Sequence, residues 1–199
     1  MELLVIRHGQ SEADILNVIE GRADYSLTEL GYRQAELMAD WVANYIIIDK
    51  IISSSLKRAK QTAEKLAAIA NAPVEYDDYL MEWNNGLIAG LSHIEANEKY
   101  PPPVKRFPHT TMYEQESYIE FRARAETVLS RILNEHQPDS KIAIISHGGM
   151  INRLFQSFLC LPVNTNVSIN SGDTCVHHWR VSENARLVVF SNSLMHIGI

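Results

Sequence analysis

Short apolar runs alternate along this chain with longer segments whose apolar residues recur at helical spacing. Residues 3–6 and 142–145 are uninterrupted apolar runs, as expected of strands that are buried on both faces of a parallel sheet. Residues 27–45 and 116–136 place their apolar side chains close to a 3.6-residue period. This alternation predicts an α/β fold, and we expect a three-layer α/β/α sandwich with a mostly parallel central sheet.

The pattern covers most of the chain, with one exception. The predicted strands are 3–6, 50–53, 74–76, 142–145, 174–181 and 186–190, and the predicted helices are 27–45, 56–70, 116–136 and 149–161. Residues 81–116 contain three consecutive prolines and offer only a short helical candidate at 92–100. Long irregular segments in compact domains are usually functional. We therefore interpret 81–116 as an inserted lid or specificity segment within a single domain that spans residues 1–199.

Composition narrows the class of protein. The chain has 18 Lys and Arg against 24 Asp and Glu, a formal net charge of −6, which argues against a nucleic-acid partner. Its longest apolar run is far shorter than the ~20 residues that span a bilayer, and residues 1–6 do not resemble a signal peptide. Cys160 and Cys175 both lie in apolar sequence, so we expect two reduced thiols in the core. We expect a soluble cytoplasmic protein without a membrane partner.

Polar residues follow three of the predicted strands. Ligands of parallel sheets bind outside the carboxyl ends of the strands, so groups at these three positions are expected to meet at one edge. The strands lead into Arg7-His8-Gly9, into the serines that precede Arg58, and into Ser146-His147-Gly148-Gly149. The sequence thus places two histidines and two arginines together, although they lie far apart in the chain.

Three chemistries use such residues. A zinc site is disfavoured because His-x-His, His-x-x-x-His and Cys-x-x-Cys spacings do not occur and because arginine beside a ligating histidine would repel a dication. A serine hydrolase of the G-x-S-x-G type is disfavoured because that motif does not occur. An anion site remains, since guanidinium groups match phosphate oxygens. A phosphoryl group held there can be attacked by a neutral imidazole, which forms a covalent intermediate.

Seven blocks of sequence together carry a more specific signal. In chain order they are Arg7-His8-Gly9-Gln10-Ser11-Glu12, Gly21 with Leu27-Thr28-Glu29-Leu30-Gly31, Ser53-Ser54 with Arg58-Ala59 and Gln61-Thr62-Ala63, Glu82 with Gly86 and Gly90, Glu116-Ser117 with Arg122, Ser146-His147-Gly148-Gly149, and Asn192 with His196. In this order and spacing they resemble the motifs of the histidine phosphatase superfamily, the phosphoglycerate-mutase-like group. The resemblance extends over nearly the whole chain.

The resemblance implies a role for each residue of the chemical centre. By it, His8 is the nucleophile that becomes phosphohistidine, while Arg7, Arg58 and His147 bind the phosphoryl oxygens and stabilise the transition state. Glu82 is by the same resemblance the proton donor to the leaving oxygen, and then the base that activates water. No metal ion or other cofactor is needed, because the arginines supply the positive charge.

Further residues are candidates for substrate binding. Motif residues Gln10, Ser11 and Gly21 are expected near the phosphoryl group. Asp14 stands where the family commonly has an asparagine that donates to phosphate, so its carboxylate must turn away, be paired or be protonated. Three basic residues of the lid segment are candidates for a second acidic group on the substrate, although a solvated loop would explain them equally well: Lys105, Arg106 and His109.

The sequence is compatible with three functions. We favour a phosphomonoesterase acting on a small phosphorylated metabolite, because Glu82-Trp83-Asn84-Asn85-Gly86 resembles the phosphatase branch rather than the E-R-H-Y-G segment of the mutases. A mutase or phosphotransferase is the second hypothesis. A non-catalytic phospho-ligand binder is the third, and Asp14 is its only support. A homodimer is a further hypothesis, since an exposed strand at 176–181 would offer an edge to a partner.

Overall fold

A computed structural model describes residues 1–198 and contains one six-stranded sheet. The strands are β1 (Glu2–Arg7), β2 (Lys50–Ser53), β3 (Val74–Tyr76), β4 (Lys141–Ser146), β5 (Val176–Val181) and β6 (Arg186–Ser193). The helices are α1 (Glu12–Leu16), α2 (Glu29–Tyr45), α3 (Lys57–Ala70), α4 (His93–Lys99), α5 (Tyr118–Glu135) and α6 (Gly148–Phe158). Across residues 1–198, each helix is too short or too polar to cross a lipid bilayer.

The strand order is β3-β2-β4-β1-β5-β6. Strands β3, β2, β4 and β1 are parallel, whereas β5 and β6 are antiparallel to their neighbours. The α/β prediction with a mostly parallel sheet is confirmed. Because β2, β4 and β1 are adjacent and parallel, the residues that follow them emerge at one edge of the sheet, with Arg7 opposite Ser146 and Ser53 opposite Ile145.

Helices pack on both faces of the sheet. Leu3 and Val5 of β1 point into a core formed with α5 and α6, whereas Leu4 and Ile6 point into a second core formed with α2 and α3. Successive side chains of a strand point to opposite faces, so a strand covered on both sides must be apolar at every position. Each such side chain contributes roughly 1.5–3 kcal/mol by its burial. This is why the central strands are short apolar runs.

The helix that follows the irregular segment begins at a definite signal. Ser117 precedes α5, where its Oγ accepts a hydrogen bond from the backbone N–H of Glu120 at 3.2 Å. The carboxylate of Glu120 accepts in return from the backbone N–H of Ser117 at 2.6 Å. This reciprocal capping satisfies two backbone donors that the first turn leaves free.

The irregular segment 81–116 packs against the loop that follows α1. The backbone N–H of Ile19 donates to Leu91 at 2.8 Å, and the N–H of Gly90 donates to Ile19 at 2.7 Å. Gly86 has a φ of +53°, and a Cβ there would lie 2.0 Å from the carbonyl oxygen of Tyr113, so the turn requires glycine. The segment is thus folded against residues 17–23, and its role as a lid stays a prediction.

Two expectations about the carboxyl-terminal third are wrong. Residues 176–181 are not an exposed edge, because β5 lies between β1 and β6 and its first four residues are buried. The homodimer hypothesis therefore loses the exposed strand on which it was based. Cys160 is not in the core: it follows the end of α6 with a φ of +55° and is exposed. Cys175 is buried as expected, and both thiols are free.

Candidate active site

His8 follows β1 and is almost completely buried. Its Nδ1 lies 2.7 Å from the carbonyl oxygen of Gly9, and because a carbonyl only accepts, we assign the imidazole proton to Nδ1. Nε2 then keeps its lone pair and accepts from Nε of Arg58 at 3.2 Å. Burial lowers the pKa of His8 well below its usual value, and the charges of Arg58 and Arg7 lower it further. The ring is therefore neutral, with its proton on Nδ1 and its lone pair on Nε2.

Arg58 lies in the first turn of α3 and is fully buried. Its Nη1 donates to the carbonyl of Ala23 at 3.0 Å and its Nη2 to the carbonyl of Gly21 at 2.8 Å. These two bonds fix the plane of the guanidinium, so that its Nε points at His8. Gly21 was a candidate for substrate binding, and the structure shows its carbonyl positioning Arg58.

Arg7 is the last residue of β1 and approaches from the other side. Its Nη1 donates to the carbonyl of Ser171 at 2.8 Å, and its Nη2 pairs with Asp173 at 3.3 Å. Within residues 1–198 its buried Nε has no hydrogen-bond partner. Asn192 supports this loop, since its Oδ1 accepts from the N–H of Gly172 at 2.8 Å.

His147 lies next to His8, with the ring centroids 5.0 Å apart. Its Nε2 is 2.8 Å from Oγ of Ser54, which in turn accepts from the N–H of Leu56. A Ser54 hydroxyl that donates to Nε2 leaves the imidazole proton on Nδ1, which is buried and without a partner in the described part of the chain. Burial lowers the pKa of His147 well below its usual value, and the charge of Arg58 adds to this, so the ring is neutral.

Two buried donors next to His8 therefore have no partner in the described part of the chain, Nε of Arg7 and Nδ1 of His147. Buried polar groups in folded proteins nearly always have a partner, and an unpaired one costs roughly 1–3 kcal/mol. Both atoms can donate to a phosphoryl oxygen held beside Nε2 of His8. This geometry supports an anion site.

Glu82 lies at the start of the segment 81–116 and contacts the first turn of α6. Its Oε2 accepts from the N–H of Gly149 at 2.8 Å and its Oε1 from the N–H of Trp83 at 2.7 Å. The carbonyl of Glu82 accepts from Nη2 of Arg124 at 3.2 Å, and that guanidinium is fixed by Glu116 at 2.7 Å. Side chain and main chain of Glu82 are thus both held in place.

The other motif candidates are bound to protein partners in the structure. Gln10 accepts at its Oε1 from the hydroxyl of Thr28 at 2.9 Å. Asp14 accepts at its Oδ2 from the backbone N–H of Ser11 at 2.7 Å and from its hydroxyl at 3.0 Å. Of the alternatives for Asp14, the structure shows pairing.

The three basic candidates of the lid segment lie in different surroundings. Arg106 stacks over the rings of Trp83 and Tyr118, at 5.0 and 5.2 Å from their centroids, which brings it beside the neighbour of Glu82. Lys105 and His109 are exposed and lie around the ring of Phe107. The structure therefore places only Arg106 near the chemical centre.

The sequence analysis missed three residues that the fold places here. Arg124 anchors the backbone of Glu82, Asp173 pairs with Arg7, and the carboxylate of Glu20 lies 3.1 Å from Nε of Arg58. Glu20 immediately precedes Gly21, so its charge inside a phosphate-binding motif was a visible signal. Arg124 and Asp173 lie outside the motifs, and no feature of the sequence indicated a role for them.

Comparisons with known proteins identify the family of this chain. A family model described as the histidine phosphatase superfamily (branch 1) matches residues 3–193. "Probable phosphatase C1620.13" of Schizosaccharomyces pombe is 33% identical over 162 residues, which cover 78% of this chain and 56% of that protein, so the chain spans little more than half of that relative. "Phosphoserine phosphatase 1" of Hydrogenobacter thermophilus is 25% identical over 202 residues, covering 100% of this chain and 95% of that protein.

A solved structure shares the fold. The structure of "Bacillus stearothermophilus YhfR" matches with a TM-score of 0.87 at 23% identity, over 98% of both chains. At that identity the likeness concerns the fold alone. The family match, by contrast, is one of sequence, and residues 3–193 include every residue of the pocket, so the chain belongs to the histidine phosphatase superfamily.

Proposed function

We propose that the chain is a phosphomonoesterase that hydrolyses a small soluble phosphate ester through a covalent phosphohistidine on His8. One observation carries the proposal: the carbonyl of Gly9 holds the proton of His8 on Nδ1, so Nε2 carries the lone pair, and that lone pair lies against the guanidinium of Arg58. The named phosphatases among its relatives support hydrolysis.

In the first step Nε2 of His8 attacks phosphorus, and the bond from phosphorus to the ester oxygen breaks. Glu82, protonated, gives its proton to that oxygen, so the alcohol leaves neutral and Glu82 becomes a carboxylate. Donors from Arg7, Arg58 and His147 stabilise the charge on the equatorial oxygens, where most of the catalysis of phosphoryl transfer arises.

In the second step a water molecule attacks the phosphoryl group on Nε2. The carboxylate of Glu82 takes the water proton, the phosphorus–nitrogen bond breaks, and inorganic phosphate leaves. His8 returns to the neutral form with its proton on Nδ1, and Glu82 is again protonated. Protons and bonds therefore balance over one turnover.

Metal independence is part of the proposal. The arginines bear the positive charge that a divalent cation would otherwise supply, and both are fixed by backbone carbonyls. The net charge of −6 and the small number of bases around the pocket favour a compact phosphate ester over a polyanion.

The test is release of inorganic phosphate from p-nitrophenyl phosphate, with His8→Ala as the variant and His93→Ala, at an exposed position on α4, as the matched control. We expect His8→Ala to abolish turnover, His93→Ala to retain it, and a chelator to leave the rate unchanged. Brief reaction with a labelled ester should trap phosphate on the wild type in an acid-labile, alkali-stable bond.

Other results would contradict the proposal in distinct ways. Full turnover by His8→Ala would exclude His8 as the nucleophile. Phosphate binding by the wild type without turnover at any pH would indicate a non-catalytic phospho-ligand binder. Transfer of phosphate between positions of phosphoglycerate that is faster than its hydrolysis would indicate a mutase.

A further inference from the structure

The carboxylate of Glu20 lies against the nucleophile. Its Oε2 is 3.8 Å from Nε2 of His8, and its Oε1 is 3.1 Å from Nε of Arg58. Its side chain is 19% exposed, so it lies inside the pocket rather than at the rim. A reacting phosphorus must come to ~3–3.5 Å from Nε2 before attack. The carboxylate therefore occupies space, and engages a donor, that the phosphoryl group requires.

The hydroxyl of Ser11 serves two carboxylates at once. Its Oγ lies 2.5 Å from Oε1 of Glu20 and 3.0 Å from Oδ2 of Asp14. A serine hydroxyl has one proton, whereas two ionised carboxylates offer only acceptors. One additional proton, on Glu20, would satisfy all three groups, because Asp14 already receives the backbone N–H of Ser11.

The groups around Glu20 oppose one another. Burial raises its pKa and the charge of Asp14 adds to the rise, whereas Arg58, Ser11 and Arg7 lower it, and the balance is a raised pKa. The groups that contact Glu20 or shift its pKa come from the end of β1, the turn at α1 and the first turn of α3: Arg7, His8, Ser11, Asp14 and Arg58.

We propose that Glu20 is a carboxylate gate on the phosphoryl site: ionised, it competes with the phosphate ester for Arg58, and protonated or turned away, it admits the ester. The inference rests on the proposed function of this site. Protonation removes the repulsion between two anions and turns an acceptor into an O–H donor that can bond a phosphoryl oxygen. The affinity for a phosphoryl anion should then fall as pH rises through the range in which Glu20 ionises.

Glu20→Gln tests the gate, because glutamine keeps an acceptor for Ser11 and replaces the charge with an N–H donor. We expect it to tighten binding of inorganic phosphate about tenfold at pH 7.5, and the advantage over the wild type to shrink as the pH is lowered and Glu20 takes up a proton. Isothermal titration calorimetry gives both affinities. Phosphate changes its own ionisation over this range, so variant and wild type are compared at the same pH throughout.

Glu12→Gln is the matched control, since Glu12 is an exposed carboxylate on α1 whose loss changes the net charge equally. Glu20→Ala is the second variant, and it should also bind phosphate more tightly at pH 7.5 than the wild type if Glu20→Gln fails to fold. In turnover of p-nitrophenyl phosphate, the gate predicts a lower KM for Glu20→Gln with little change in kcat. A loss of kcat with an unchanged KM would instead indicate a proton-transfer or positioning role and overturn the gate.

The remaining outcomes separate the gate from the function beneath it. Equal phosphate affinity of wild type and both variants at every pH would refute the gate and leave the phosphatase proposal intact. Tighter binding by Glu20→Gln in a protein that never hydrolyses an ester would support the gate and refute the phosphatase. Absence of phosphate binding in all variants would refute the anion site and the gate together.

Discussion

Replacing Gly149 by alanine should displace Glu82, the proposed proton donor, without unfolding the protein. A Cβ at residue 149 would lie 2.3 Å from Oε1 of Glu82 and 3.0 Å from its Cδ and Oε2. The carboxylate would have to retreat by about 1 Å to reach ordinary van der Waals contact, and it would lose the bond from the N–H of Gly149.

The expected loss of rate follows from that displacement. A misplacement of ~1 Å in a catalytic group costs about 10²-fold in rate, and general acid catalysis contributes about 10²–10⁴-fold in total. Folding should be nearly unaffected, since alanine in a helix is favoured over glycine by up to about 1 kcal/mol, which offsets the lost hydrogen bond. We expect kcat for an alkyl phosphate to fall about 100-fold, with Tm within a few degrees of the wild type.

The assay compares two leaving groups. Glycerol 2-phosphate has a poor leaving group that needs a proton, whereas p-nitrophenolate leaves readily as the anion. Gly149→Ala should therefore depress hydrolysis of the alkyl ester far more than hydrolysis of the aryl ester. The aryl ester is the internal control, because its turnover needs the same phosphoryl binding but little proton donation to the leaving oxygen.

Two results would refute the reasoning. If Gly149→Ala hydrolysed both esters as fast as the wild type does, the position of Glu82 would not matter to the reaction. If both esters slowed equally, the variant would have disturbed phosphoryl binding rather than proton donation to the leaving oxygen.

Three further predictions concern binding and stability. Arg58→Lys should lower kcat/KM about 10²–10³-fold in steady-state hydrolysis, because lysine cannot donate to Gly21, Ala23 and His8 at once, and a loss under threefold would contradict this. Burial lowers the pKa of His177 from 6.5 to about 4. The pH-dependent contribution of His177 to the free energy of unfolding is therefore about 3 kcal/mol, which is complete above pH 6.5 and is lost as pH falls toward 4. Urea unfolding at pH 7 and 4.5 should show a smaller pH effect in His177→Gln, and an equal effect in variant and wild type would exclude His177 as a source. Ser117→Ala should lower the free energy of unfolding by about 1 kcal/mol through the lost cap of α5, and an unchanged urea midpoint would show that the cap is not needed.

Most of the fold could be predicted because its signals are local. Apolar runs such as 142–145 need burial on both faces, and the adjacency of β2, β4 and β1 then brings distant motifs to one edge. The short helix α1 escaped prediction because five residues carry too little periodicity to register.

The position of β5 in the sheet shows where local signals end. Residues 176–181 form a strand as predicted, but the expected exposed edge is covered by β6. In the structure His178 is paired with the hydroxyl of Tyr45 at 2.8 Å and with the carboxylate of Glu2, more than 130 residues away. Burial of a polar side chain is tolerable once such a partner exists, and a partner so distant leaves no trace in the neighbouring sequence.

Glu20 illustrates the same limit within the site. Its place beside His8 depends on how residues 17–23 fold over Arg58, which in turn depends on a positive φ at Gly21 and on two carbonyl contacts. Motif matching identified the residues that the family shares, and it assigned no place to a carboxylate between two of them. The residues that distinguish this pocket are therefore those that the family motifs do not include.

Both arginines of the pocket are engaged by carboxylates, Arg7 by Asp173 at 3.3 Å and Arg58 by Glu20 at 3.1 Å. An uncompensated pair of guanidinium groups would bind substrate and product phosphate tightly, and tight binding of ground states does not raise kcat. Compensation weakens that attraction, and the donor on Arg58 becomes available to the charge that develops during transfer once Glu20 is protonated or turned away. A protein that only retains a phospho-ligand gains nothing from such carboxylates, whereas an enzyme that must release phosphate in each turnover does. The charge balance of the pocket thus favours the hydrolase over the binder.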